Sequence, residues 1–323
     1  MEIAESQSVD KMKDKRGFLD ISFSWIFAFL IGAMILAGAI YGINKFSSLK
    51  NTQNSAELGT ALKNLLTPLE TGIEGTKSIS ITLPVNSRIS HLCDVGGPFG
   101  TETFLVQEKI KNKWTRSGVP ISFRDKYIFL PSSSEGQTYN IFSKSFDFPF
   151  KIANLIYFSN SKDTYCFVGL DKSTKLELKN TEQKNFEFDT CSSSSVKVCY
   201  DSPGNCDIKI DPMQKTVTKN GGSVYFEGNA LMYAAIFSDK ATYECEVKRL
   251  MKRADELTNI YISKEGNLAS RGCSSSVDFS SSVNGPSFKS DLATFSSSAD
   301  LASMVKEVNY LNSINQNSDC RLW

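Results

Sequence analysis

Apolar positions change their spacing along this chain, and each change marks a different kind of element. Residues 21–43 form a run of 23 without a single charge, including Trp25-Ile26-Phe27-Ala28-Phe29-Leu30-Ile31 and Ile35-Leu36. At about 1.5 Å per residue such a run, as a helix, is long enough to cross the hydrocarbon core of a bilayer. Phe46 and Leu49 carry the pattern on, and Leu58, Leu62, Leu65, Leu66 and Leu69 recur at helical spacing. Pro68 should kink this extension and Gly72 end it.

From about residue 78 to 227 the period falls to two. Ser78-Ile79-Ser80-Ile81-Thr82-Leu83, Lys175-Leu176-Glu177-Leu178 and Asn185-Phe186-Glu187-Phe188 alternate as half-buried strands do. Tyr127-Ile128-Phe129-Leu130 and Leu155-Ile156-Tyr157-Phe158 are continuous apolar runs that suit central strands. Asn220-Gly221-Gly222, between Thr216-Val217-Thr218 and Val224-Tyr225-Phe226, predicts a hairpin. Turn strings at short intervals point to an antiparallel sheet or sandwich.

After Gly228 the helical period returns. Tyr243, Val247, Leu250, Met251, Ala254, Leu257 and Tyr261 form one stripe, with Ser238 or Asp239 as its N-cap. A second helix is expected from Ser298, carrying Leu301, Met304, Val305, Val308 and Leu311. The predicted class is therefore α+β: a long N-terminal transmembrane helix, an antiparallel β-rich ectodomain stapled by disulfides, and a helical C-terminal part. The spans are 1–17 for a cytoplasmic leader, 18–72 for the helix and its extension, 73–227 for the β-rich domain and 228–323 for the helical part.

Charge and cysteine usage give the apolar run a direction. Lys11, Lys13, Lys15 and Arg16 stand before it, and only Lys45 and Lys50 closely follow it. That bias favours a cytoplasmic N-terminus and an exported remainder. All eight cysteines (Cys93, Cys166, Cys191, Cys199, Cys206, Cys245, Cys273 and Cys320) come after the run, as a disulfide-permitting compartment would have it. No CxxC or CxxH spacing suggests zinc. Cys199 and Cys206 flank Asp201-Ser202-Pro203-Gly204-Asn205, a turn string expected to close a tight hairpin and bring the two sulfurs together. Cys245, Cys273 and Cys320 are placed to staple the helical part. The chain carries no Asn-x-Ser/Thr sequon.

Lys15-Arg16-Gly17-Phe18-Leu19-Asp20, followed at once by the apolar helix, resembles the class III signal of type IV pilin-like proteins, particularly archaeal ones. The resemblance covers about 30 to 50 residues and concerns trafficking rather than the exported head, since leader, cut site and helix are the parts such a signal contains. It implies a cut between Gly17 and Phe18, a mature helix that serves as anchor and assembly rod, and Asp20 as the acid meeting a neighbour's new amine. Ser22 stands where the bacterial pattern has a glutamate. Two other outcomes are an uncleaved anchor and a secretory signal cut after Ala37-Gly38-Ala39. Gly38 and Gly42, like Ala28 and Gly32, are small-xxx-small pairs that would let helices associate closely.

Candidate chemistry is sparse. With 36 basic against 35 acidic residues the net charge is +1, so no overall field draws nucleic acid. The basic cluster Lys248-Arg249 and Lys252-Arg253 is interleaved with Glu244, Glu246, Asp255 and Glu256, which predicts a solvated, salt-bridged helix face. The single histidine, His91, stands two residues before Cys93, where a nucleophilic pair is the sharper reading and a histidine beside a disulfide the plainer one. Phe142, Phe146, Phe148 and Phe150 read as one buried strand face, with a recognition groove as the alternative. No catalytic residue, metal site or cofactor is assigned, and no enzyme activity is expected. The expected role is a single-pass cell-surface structural or adhesion protein, with a pilin-like filament subunit self-associating through the N-terminal helix as its more specific form. The alternatives are a membrane-tethered extracytoplasmic enzyme and an accessory binding subunit of another membrane protein.

Overall fold

The computed structural model describes residues 26–43, 64, 66–67, 77–110, 112–115, 120–201, 204–220, 222–281 and 285–323. By its contacts the chain divides into two units, residues 1–53 and 54–323. The first contains helix α1 (Ile26–Ile43), with a mean hydropathy of 2.3 and none of its residues buried. Gly17, Phe18 and Asp20 lie outside the described residues, as do Pro68, Gly72 and the turn position Gly221.

The second unit, the head, holds two sheets and five α-helices among its described residues. In the first sheet run β1 (Lys77–Asp94), β2 (Thr101–Ile110), β3 (Lys113–Trp114), β4 (Ile121–Phe123), β5 (Tyr127–Phe129), β6 (Ser133–Asp147) and β7 (Lys151–Asn160). Their order is β3-β2-β1-β6-β7-β5, with β4 also on β2. Tyr127 and Phe129 join one apolar cluster and Ile128 and Leu130 the other. Leu155 and Tyr157 are divided from Ile156 and Phe158 in the same way. Both faces of the sheet centre are thus buried, and for that reason β5 and β7 are continuous apolar runs. Leu66, fully buried, belongs to the second cluster.

The second sheet contains β8 (Tyr165–Val168), β9 (Phe186–Phe188), β10 (Val196–Tyr200), β11 (Ile208–Asp211), β12 (Thr216–Lys219) and β13 (Gly222–Tyr225), in the order β13-β12-β11-β10-β8-β9. The expected antiparallel architecture is corrected here. Pairs β8–β9, β8–β10 and β10–β11 are parallel, as is β5–β7, so both sheets are mixed. Alternation of period two is the same in either pairing and cannot tell them apart. The predicted hairpin of β12 and β13 is present, with Thr216 opposite Tyr225. The predicted tight hairpin around Cys199 and Cys206 is not: β10 and β11 run parallel.

Lys175-Leu176-Glu177-Leu178, expected as a strand, lies in helix α2 (Lys172–Asn180). Its start is set by Asp171, whose side chain accepts from the backbone N–H groups of Ser173 and Thr174. Leu178 is buried while Leu176 is 60% exposed, so the apparent alternation never described two faces of a strand.

Helix α3 (Gly228–Phe237) is buried from Ala230 to Phe237 and packs on β5, β6 and β7 of the first sheet and β12 of the second. Helix α4 (Lys240–Ala269) begins at Asp239, which accepts from Thr242 N–H, and buries Tyr243, Val247, Leu250, Met251 and Ala254 as the stripe predicted. Helices α5 (Phe288–Thr294) and α6 (Leu301–Asn317) follow, the latter after a turn at Ser298–Asp300. Phe142, Phe146, Phe148 and Phe150 are all within 3% of full burial in the shared core, which excludes the groove reading.

Four cysteine pairs stand at disulfide distance, with Cα separations of 5.5 to 6.1 Å: Cys93–Cys245, Cys166–Cys191, Cys199–Cys206 and Cys273–Cys320. Cys273–Cys320 closes the helical part as expected. Cys245 instead ties α4 to β1, a correction no local spacing could have supplied.

Candidate functional site

The densest chemistry lies where α4 crosses β1 and β2. In the antiparallel β1–β2 register Cys93 is opposite Glu102, so their side chains share a face with His91, two residues back. Above them, α4 presents Thr242, Cys245, Glu246 and Arg249, whose spacings of three, one and three residues put them on one side of a helix. Glu102, Glu246 and Arg249 are all fully buried.

Arg249 organises the cluster. Its Nη1 donates to Glu246 Oε1 at 2.7 Å and Oε2 at 2.9 Å, and to the Lys126 carbonyl at 3.2 Å. Its Nε donates to Phe99 O at 3.2 Å, and its Nη2 to Phe123 O at 3.4 Å and Arg124 O at 3.3 Å. The guanidinium lies over the Tyr127 ring, 4.9 Å from its centre. Gly100 clears the path: it has φ +62°, and a Cβ there would sit 2.8 Å from Arg249 Cγ and 2.5 Å from Asp94 O.

Two carboxylates face this one guanidinium. Glu102 approaches Arg249 Nη1 at 4.0 Å and accepts from His91 Nδ1 at 2.7 Å. Burial pushes the Glu102 carboxyl up to about 7, against the lowering pull of Glu246 and Arg249. Burial also raises Glu246 well above the usual carboxylate range, and the neighbouring Glu102 adds to it. Burial and the proximity of the two acids thus favour a proton held within the pair over two bare carboxylates. Burial lowers His91, which is neutral and completes the network through Nε2 and the Thr242 hydroxyl at 3.1 Å. A single ionised carboxylate beside the guanidinium leaves no uncompensated charge in this buried cluster.

The Cys93 sulfur and one oxygen each of Glu102 and Glu246 lie within 4.8 Å of one another, a spacing that would suit a metal ion. In the oxidised protein that sulfur is bonded to Cys245 and offers no thiolate. The same bond removes the nucleophile from the His91–Cys93 pair, leaving a hydrogen-bonded core histidine beside a disulfide.

The predicted solvated face of α4 is corrected in part. Arg249 is interior, and Lys252 Nζ donates to the carbonyls of Val95 and Gly97, at 3.1 Å for the latter. Glu244 is bound to Ser298. Glu102, Glu246 and Arg249 were not singled out from sequence as a site. The signal for the helix pair was present, since Glu246 stands three residues after Tyr243 and four before Leu250, inside the apolar stripe. On α1, Gly38 and Gly42 have open space where a Cβ would lie, and Cys166, Cys191, Cys199 and Cys206 are taken up within the second sheet and its loops. Set beside protein-family models, curated proteins and solved structures, the chain matches none.

Proposed function

We propose that this chain is a single-pass membrane protein whose disulfide-closed head works outside the cytoplasm in a structural or adhesive role, with its N-terminus processed and assembled as in type IV pilin-like proteins. The observation that carries the reading is α1. Eleven of its large apolar side chains are between 43% and 77% exposed. Left in water, they would forgo on the order of 15 kcal/mol of burial, at about 1.5 kcal/mol each. Lipid, or neighbouring copies of α1, must cover them. Eighteen helical residues span about 27 Å, close to the hydrocarbon thickness of a bilayer. Pairing of all eight cysteines supports an oxidising location for the head. The enzyme alternative draws nothing from the acid pair, because Glu102 and Glu246 are sealed under α4.

The test is the N-terminal residue and non-reduced mass of the protein from native membranes. A start at Phe18 supports pilin-type processing, and Gly17→Asp should then leave the leader attached. A start at Met1 would leave a plain anchored head, and a start at Ile40 would overturn the anchor.

A further inference from the structure

We propose that the side chains of Lys144 and Asn229 join in an amide bond, formed by the folded head itself with Glu177 moving the protons. The three residues come from three elements: Lys144 from β6, Glu177 from α2 and Asn229 from the first turn of α3. Lys144 shares its strand face with Phe142 and Phe146, both in the core, so an amine stands in an apolar row.

A single carboxylate holds the amine and the amide together. Glu177 Oε1 lies 2.5 Å from Lys144 Nζ, and Glu177 Oε2 accepts from Asn229 Nδ2 at 3.2 Å. Oε1 is shut off from solvent. Thr174, one turn back on α2, sets its hydroxyl 3.4 Å from the same Asn229 nitrogen. The Tyr233 hydroxyl is buried beside Glu177. Tyr157 donates to the Ala230 carbonyl at 2.9 Å and so fixes the turn that carries Asn229. Lys144 and Asn229 line one cavity of about 260 Å³.

An amine and a carboxamide held in this way condense with nothing added. Glu177 takes a proton from the Lys144 ammonium, and the freed Nζ electron pair forms a bond to Asn229 Cγ. Two protons in all pass from Nζ to Nδ2 through the carboxylate. The Cγ–Nδ2 bond breaks, and the charge of the lysine departs as ammonium. Glu177 ends as it began, and no oxidant or reductant takes part. Fixing both partners on one carboxylate replaces a chance encounter. No side chain caps the first turn of α3, whose positive end favours the oxyanion developing on Asn229. The product closes the segment from 144 to 229, which holds every strand of the second sheet. None of the four disulfides ties β6 to α3, so this clamp would be one that reduction cannot open.

The experiment is intact and tryptic mass measurement on the full chain after reduction. Wild type is expected to be lighter by one ammonia, about 17 Da, than its sequence from the measured N-terminus requires. Trypsin should leave Lys144 uncut, in a peptide joined to the one bearing Asn229. Glu177→Gln and Lys144→Met should each show the full mass and, lacking the closed loop, run more slowly than wild type in a reducing denaturing gel. Lys289 supplies an internal control: its Nζ donates to Asn259 Oδ1 at 2.6 Å, at an exposed site where among the described residues no carboxylate bridges them, and this pair should stay unlinked. A cooperative melting transition in each variant excludes misfolding as the cause of its full mass. Wild type at full mass overturns the proposal whatever the variants do, as does a link that persists in Glu177→Gln or joins other residues. The N-terminal residue is read from separate peptides, so failure here is distinguishable from failure of the anchor reading.

Discussion

Arg249 shows how far a residue's role can depart from its composition class. A basic residue among Lys248, Lys252 and Arg253 belongs by count to a solvated face, yet this one reaches four carbonyls and a carboxylate in the interior. Arg249→Met keeps the volume but leaves Glu102 and Glu246 without their cation. A loss of about 3–5 kcal/mol in denaturant unfolding is the expected result, as for other broken buried pairs. A loss under ~1 kcal/mol would mean the guanidinium is solvated after all. Glu102 provides a second test, in pH. Its carboxyl stands at about 7 in the folded head against 4.5 for the free group, so the folded state binds the proton more tightly. That contribution is complete below about 4.5 and lost as pH rises through about 7. As pH rises through neutrality the wild type should therefore lose stability that Glu102→Gln does not lose. His91, lowered by burial, runs the opposite way and is hydrogen-bonded to Glu102, so the same comparison is repeated in a His91→Gln background. Parallel stability–pH curves for the two would refute the shared proton. Little of this cluster was legible in advance, because Glu102 meets Glu246 across 144 residues of chain and only folding shows them to each other.

Elements were more legible where one physical rule decided them. The α4 stripe is one-sided, and its cap Asp239 stands at its head, so helix, start and buried face were all readable. The strand of Ser78 to Leu83 was readable for the same reason, since β1 needs period two whatever it pairs with. Lys175 to Leu178 failed because four alternating residues fit one helical turn and one strand equally well, and the cap at Asp171 outweighed the alternation. Strand direction failed for β8, β9, β10 and β11 in their mutual pairings, because parallel and antiparallel neighbours impose the same alternation. Disulfide connectivity divides along the same line: the seven-residue separation of Cys199 and Cys206 could be foreseen, and the 152-residue separation of Cys93 and Cys245 could not. The two bonds should differ in their worth to the fold. Chain-entropy reasoning gives about 5 kcal/mol for the long closure and about 2 kcal/mol for the short one. Replacing Cys93 and Cys245 by alanine should thus lower the melting temperature well beyond the same change at Cys199 and Cys206. The reverse order would show that the α4–β1 junction is held by the Arg249 network alone.

At the scale of the whole molecule, charge, membrane and redox state form one chain of cause. On the proposed reading, lysines before α1 bias which side the N-terminus keeps, that choice fixes the compartment of the head, and the compartment decides whether eight sulfurs pair. The prediction follows the chain from its first link. Replacing Lys11, Lys13 and Lys15 by glutamine, with Arg16 and Gly17 kept for processing, should invert a fraction of the molecules in the membrane. Inverted heads would meet reducing thiols and fold without Cys93–Cys245, the bond that joins β1 to α4. Alkylation of unreduced membranes followed by mass measurement separates the two populations. Wild-type protein should take up no label and weigh eight hydrogens less than its reduced form, two for each of four disulfides. The triple variant should add a labelled population carrying alkyl groups on its cysteines. Label on the wild type would place the head on the reducing side and end the cell-surface reading. An unlabelled variant would show that the apolar helix takes its orientation from something other than the lysines that precede it.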